Sequence, residues 1–233
     1  MRGLGLLITA VLLAVTVAVQ VTSSRNSDRF VAMAAEMPTV AVGVDVLAGI
    51  PEIPARIRGN DYRRTAFGEA WTDDNPAPGG HNGCDTRNDV LDRDLGDKTY
   101  TFIKRCPTAV ATGALHDPYT NAVVAFTRGN QIGAAVQIDH IVPLALAWDL
   151  GARNWPDAIR IRFANDPANL LAVAGQANQD KSDGEPAVWM PPNHAFWCQY
   201  AVQFAAVLRG YGLSVDQPSA RVLRDAAATC PIG

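Results

Sequence analysis

Gln137-Ile138-Asp139-His140-Ile141-Val142-Pro143 is the stretch on which the reading of this chain turns. It reads as a short apolar strand that carries an acid and an imidazole side by side at its end, stopped by a proline that cannot continue a ladder. Adjacent residues on a strand point to opposite faces, so Asp139 and His140 serve one site only where the strand ends or bends, which Pro143 permits. Two further stretches follow: Asn165-Asp166-Pro167-Ala168-Asn169-Leu170-Leu171-Ala172-Val173, and then Gln176-Ala177-Asn178-Gln179-Asp180-Lys181-Ser182-Asp183. Each begins in turn-forming Asn and Asp chemistry.

Working outward toward the N-terminus, Tyr100–Ile103, Ala109–Leu115 and Ala122–Phe126 are strand-like, with turn residues Asp117-Pro118-Tyr119-Thr120-Asn121 before the third, and predict an antiparallel meander. Cys84 to Leu95 places Val90, Leu91 and Leu95 at helical spacing and predicts a surface helix. Arg63 to Trp71 suits a short helix, and Asp73 to Gly83 is a loop. Residues 35–60, with Pro38, Pro51 and Pro54, read as an extended lead-in to a body at 61–233. Toward the C-terminus, Phe196, Trp197, Tyr200, Phe204, Val207 and Leu208 predict an amphipathic helix stopped by Gly210. Asp216 and Pro218 predict the start of a last helix running toward Cys230.

The chain of 233 residues is long enough for one sizeable core. Its net charge of −3 excludes a protein that coats nucleic acid by charge alone. Leu4 to Val21 holds no ionisable side chain, so residues 1–34 read as a signal peptide or an N-terminal membrane anchor, with Ala32-Met33-Ala34 as the best small-residue cleavage triplet. Cleavage there would leave 17 basic and 22 acidic residues, a net of −5. All four cysteines (Cys84, Cys106, Cys198, Cys230) lie beyond that segment, and an even count in an exported chain favours two disulfides. Of the three possible connectivities, the preferred one is the sequential pairing of Cys84 with Cys106 and Cys198 with Cys230, which closes one loop in each half. A zinc site competes, but no C-x-x-C pair is present and the histidines are scattered.

Asp139-His140-Ile141-Val142-Pro143, Asn169-Leu170-Leu171 and Asn178-Gln179-Asp180-Lys181-Ser182-Asp183 together resemble the HNH, or His-Me finger, nuclease motif, especially the HNH domain of the CRISPR RNA-guided nuclease. A longer pattern comprises Phe67-Gly68-x-Ala70-Trp71, Cys84-Asp85-Thr86-Arg87-Asn88, Arg93-Asp94-Leu95, Phe163-Ala164-Asn165-Asp166-Pro167 and Trp189-x-Pro191-Pro192-Asn193. It resembles a branch of secreted bacterial HNH-family proteins related to the C-terminal domain of GmrSD-type restriction enzymes. The wider resemblance spans about residues 60–213 and the nuclease core about 136–190. It implies an α+β fold: a ββα-metal core with an added antiparallel meander and flanking helices, supported by disulfides.

The resemblance implies His140 as general base, Asp139 and Asn178 as ligands of one divalent cation, Mg²⁺ or Mn²⁺, and Asn169 as the residue that holds the base-bearing loop. Lys181 either reaches a phosphate or is a solvated helix charge. Arg87 and Arg93, with Asp85 and Asp94, line either a phosphate-binding face or a structural ion-pair network. The third motif position carries Asn178 where many members have His, and an amide oxygen suits a hard cation better than zinc. The 29 positions from His140 to Asn169 exceed what a minimal finger needs and predict an extra helix and loop beside the site. His81, His116 and His194 read as loop or surface residues, and Trp189, Phe196, Trp197 and Tyr200 as core.

The expected function is an exported, metal-dependent endonuclease acting on DNA, and on RNA as an alternative substrate, with little base specificity because no separate reading module is present. Nucleic acid is the expected partner; no permanent protein partner is implied, and a membrane is involved only if the N-terminal segment stays uncleaved. The alternatives are a non-catalytic exported binding domain on the same scaffold, and a hydrolase of another phosphodiester or of a cell-wall component.

Overall fold

The computed structural model describes residues 38–129 and 135–232. The proposed signal or anchor segment at 1–34 lies outside them, and no helix of the described residues is long and apolar enough to cross a membrane. In chain order the elements are β1 (Glu52–Ile53), α1 (Thr86–Asp94), β2 (Gly96–Ile103), β3 (Cys106–His116), β4 (Val123–Thr127), β5 (Val136–His140), α2 (Leu144–Leu150), α3 (Asp157–Asn165), β6 (Leu170–Ala174), α4 (Gly175–Lys181), α5 (Trp197–Gly210), β7 (Val215–Asp216) and α6 (Gln217–Ala227).

β5 and β6 pair antiparallel, from Val136 opposite Ala174 to His140 opposite Leu170, and α4 leaves β6 without a connecting loop. This strand–strand–helix unit is interrupted between its strands by α2 and α3, two helices where the sequence predicts one helix and a loop. The meander is present as the antiparallel sheet β2-β3-β4. Its second turn is built on Asp117, whose Oδ2 accepts from the Thr120 backbone N–H (3.0 Å) and hydroxyl (2.5 Å). The Oδ1 of the same carboxylate accepts from Ala174 N at 3.0 Å and so ties the meander to the end of β6.

Val136 and Ile138 of β5 enter a cluster with Val90, Leu91, Leu95, Val110, Leu115 and Phe126, between α1 and the meander. The larger core gathers α2, α3, α5 and α6 and includes Tyr119, Phe163, Tyr200 and Phe204. Asp85 caps α1 by accepting from Asn88 N, and Asp216 caps α6 by accepting from Ser219 N, each cap contributing about 1 kcal/mol. Cys84 bonds to Cys106 and Cys198 to Cys230, the sequential pairing. The first bridge fastens the start of α1 to the β2–β3 hairpin; the second staples α5 to the end of α6.

The lead-in is not a tail. The compact unit begins at Val40, ahead of the expected boundary at 61, because Leu47 and Ile50 are apolar enough to join the main core. Glu52 and Ile53 then pair parallel with Val215 and Asp216. Arg56, with 3% of its side chain exposed, bonds the carboxylates of Asp149, Asp183 and Glu185. The short helix expected around residues 63–71 is a 3-10 turn at Arg64–Phe67, and the expected amphipathic helix that ends at Gly210 is preceded by a 3-10 turn at His194–Phe196.

Candidate active site at the end of β5

Gln137 and Asp139 share the face of β5 that α4 covers, and Ile138 and His140 share the other. On the first face Asn178 Nδ2 donates to Gln137 Oε1 (2.8 Å), and one turn later Lys181 Nζ meets Asp139 Oδ2 (2.5 Å). The same ammonium donates to the carbonyl of His140 at 2.7 Å, and Tyr119 donates its hydroxyl to Asp139 Oδ2 at 2.5 Å. Lys181 has none of its side chain exposed, so it is neither a phosphate arm nor a solvated helix charge but the counter-ion of a buried carboxylate. Burial holds its pKa below the ordinary lysine range, with the Asp139 charge opposing that shift. Beyond this pair, Tyr200 packs edge-on to Tyr119 at 6.1 Å, and its buried hydroxyl has no hydrogen-bond partner among the described residues.

On the second face the imidazole of His140 stacks on Trp71, with centroids 5.3 Å apart and planes 12° from parallel. Its Nε2 lies 2.9 Å from the carbonyl of Ala164. A carbonyl only accepts, so that nitrogen carries the proton and Nδ1 keeps the lone pair. Burial, with the Arg64 and Lys181 cations adding to it, pushes His140 down from 6.5 to about 3. The ring is therefore neutral at physiological pH. It lines a cavity of about 230 Å³ with Arg64, Thr65, Glu69 and Trp71.

The cavity wall explains the Phe67-Gly68-x-Ala70-Trp71 motif. Phe67 is anchored in the core, and Gly68 adopts φ +85° where an added Cβ would come within 2.8 Å of Ile161. Trp71 itself sits at φ 60°, a left-handed conformation that costs a bulky residue about 1–3 kcal/mol and that surrounding packing must hold. Phe163-Ala164-Asn165-Asp166-Pro167 supplies the carbonyl at His140, and Asn165 locks it by accepting from Thr86 Oγ1 (2.9 Å).

Asn169 is fully buried. Its side chain accepts from Val142 N (2.9 Å) and donates to Val142 O (3.3 Å), while its carbonyl accepts from Ile141 N (2.8 Å), so it clamps the turn that follows His140. The two arginines face backbone. Arg93 donates to the carbonyls of Pro167 (2.9 Å) and Leu170 (2.6 Å), and Arg87 to that of Val136 (3.3 Å). Asp85 is a cap, and Asp94 accepts from Arg93 and from Ala172 N. His81, His116 and His194 are exposed, and Tyr200 is core.

The structure thus joins Asp139 to Lys181 and Asn178 to Gln137, and sets His140 apart against Trp71. Tyr119, Trp71, Arg64 and Glu69 complete the surroundings. Of these only Trp71 carries a sequence signal, through its motif; nothing in the spacing of Tyr119 marks it as a carboxylate partner. The donor chemistry fits a hard cation. Asn178 commits its nitrogen to Gln137, which leaves an amide oxygen, and both contacts to Asp139 fall on Oδ2 and not on Oδ1. Among the described residues no group of three or more His, Cys, Asp or Glu converges on one point, so water and substrate oxygens would complete a coordination sphere.

A protein of Arthroderma benhamiae described as an uncharacterized secreted protein is 37% identical over 150 residues, covering 63% of this chain and 68% of that one. No solved structure matches. The family described as GmrSD restriction endonucleases, C-terminal domain, matches residues 85–225, a span that holds β5, β6, α4 and every residue of the Asp139, His140, Asn169 and Asn178 constellation. The chain belongs to that family.

Proposed function

We propose that this chain is an exported, metal-dependent endonuclease of the His-Me finger type that hydrolyses phosphodiester bonds in DNA, and in RNA as a second substrate, with little sequence specificity. The observation that supports it best is His140: a neutral imidazole, its tautomer set by the Ala164 carbonyl, lining a cavity at the end of the strand that carries Asp139. A neutral ring with a fixed lone pair is what a general base for water requires. A phosphate anion entering beside it favours the protonated ring and so raises its proton affinity in the complex.

The other residues have positional roles. Trp71 and Ala164 fix the plane and rotation of the imidazole, Asn169 fixes the backbone just beyond it, and Lys181 fixes both the carboxylate of Asp139 and the carbonyl of His140. Arg64, on the exposed rim of the cavity, offers a cation to a phosphate oxygen. Asp139 and Asn178 would hold one Mg²⁺ or Mn²⁺, which supplies positive charge to the phosphoryl oxygens when bound. The secreted relative and the fully paired cysteines support export to an oxidising compartment.

Purified protein incubated with supercoiled plasmid under Mg²⁺, Mn²⁺ or EDTA, beside His140→Ala, tests this reading. Metal-dependent nicking that falls about 10²- to 10⁴-fold in the folded variant supports it. The scaffold reading has one observation in its favour, the neutralisation of Asp139 by Lys181, and a folded protein that nicks under no metal selects it.

A further inference from the structure

We propose that the β2–β3 hairpin is a docking surface for single-stranded nucleic acid, with Tyr100 and Phe102 stacking on bases and Lys104 and Arg105 meeting phosphates. This inference rests on the nucleic-acid reading of the site and names a second surface that serves it.

The hairpin exposes what a protein surface ordinarily hides. Tyr100 is 50% and Phe102 68% exposed, two residues apart on β2, an edge strand of its sheet. The Tyr100 ring is fixed in place: its hydroxyl donates to Asp92 Oδ1 (2.9 Å), and Lys98, itself paired with Asp92 (2.8 Å), lies 6.0 Å from the ring centroid. An aromatic held rigid in solvent loses little entropy when a base stacks on it.

The turn adds charge at a cost. Ile103 pairs with Cys106, so Lys104 and Arg105 form a two-residue hairpin loop. Such loops favour Asn or Gly where φ is positive. Here that position is Lys104, at φ 49°, so the turn accepts left-handed strain of about 1 kcal/mol and places two exposed cations at its tip. On a chain of net charge −3, two cations beside two solvent-facing rings form a local patch complementary to a polyanion with exposed bases. The Cys84–Cys106 bridge, at the first residue after the turn, fastens the tip of the hairpin to the body. Duplex DNA hides the base faces these rings would stack on, which selects a single strand.

Fluorescence anisotropy with a labelled 20-nucleotide oligo-dT and the corresponding duplex, in EDTA so that nothing is cleaved, separates the possibilities. Wild type should bind the single strand more tightly than the duplex. Phe102→Ala should weaken the single-strand complex about tenfold, the loss of one stacked base. Lys104→Ser/Arg105→Ser should lower the slope of log affinity against log salt by about 1.4, at about 0.7 per phosphate contact. Unchanged melting temperatures confirm that these exposed changes leave the fold intact. Wild-type affinity in Phe102→Ala, an unchanged salt slope, or no single-strand binding overturns the proposal. So does a wild-type dimer that Phe102→Ala dissolves, which would give the surface to a second copy. Single-strand binding with no nicking under any metal retains the hairpin proposal and overturns the nuclease reading; nicking with unaltered binding in the variants does the reverse.

Discussion

The ammonium of Lys181 lies 2.5 Å from Asp139 Oδ2 and 2.7 Å from the carbonyl of His140, so one buried cation holds two consecutive residues of the candidate site. Removing one partner of a buried pair leaves the other uncompensated, at a cost of about 3–5 kcal/mol. Lys181→Met should therefore lower the unfolding free energy by about that much, read from urea denaturation midpoints. Lys181→Met/Asp139→Leu should recover a large part of the loss, and a double variant as unstable as the sum of the singles would show that the pair is not coupled.

Two tyrosines that touch should respond in opposite ways. Tyr119→Phe removes a donor from a buried carboxylate and should cost about 1.5–3 kcal/mol. Tyr200→Phe removes a buried hydroxyl with no partner among the described residues and should leave stability unchanged or raise it by about 1 kcal/mol. Thermal unfolding of the two variants at one pH checks both.

Acid should weaken the protein before its carboxylates titrate. The folded form holds His140 at about 3 against an ordinary 6.5, so between those values the unfolded chain takes up a proton that the folded chain refuses. The contribution is complete above pH 6.5 and is lost as pH falls toward 3. Denaturation midpoints should drop between pH 7 and pH 4.5, and His140→Gln should flatten that drop; an equal drop in the variant removes His140 as its cause.

Much of this was legible in one dimension. The strand ending in Asp139-His140, the meander and the last two helices follow from period and turn chemistry, because each is set by residues close in sequence; the even count of cysteines implies two disulfides and leaves three connectivities, of which the structure has the preferred one. The partners of the site were not. Lys181 reads as a phosphate arm or a solvated charge until β5 is laid against α4, and Arg93 as a phosphate ligand or an ion-pair member until the Asp94 carboxylate and the carbonyls of Pro167 and Leu170 are seen to occupy it. Trp71 and Tyr119 reach His140 and Asp139 from far away in the chain, and no local pattern records such a meeting. The order of the lead-in was hidden for the same reason, since Arg56 finds its carboxylates 93 to 129 residues further on.

Arg64 should matter to turnover and little to folding. It is exposed on the rim of the His140 cavity, so Arg64→Ala should keep the melting temperature within a few degrees while lowering plasmid cleavage about tenfold or more, with Arg64→Lys partly restoring it. Loss of cleavage that tracks loss of fold would move Arg64 to a structural role.

The wall that Trp71 and Arg64 build against His140 stands ahead of residue 85, as does Arg56, while Cys230 falls after residue 225. The stretch that announces kinship and the stretch that builds the His140 site thus have different borders. A gene fusion that borrowed only the matched span would inherit Asp139, His140, Asn169 and Asn178 yet leave His140 without its stacked ring and Cys106 and Cys198 without their bridges. Kinship of this kind does not by itself supply the His140 site; in any relative, the question to ask first is what lies upstream of the match.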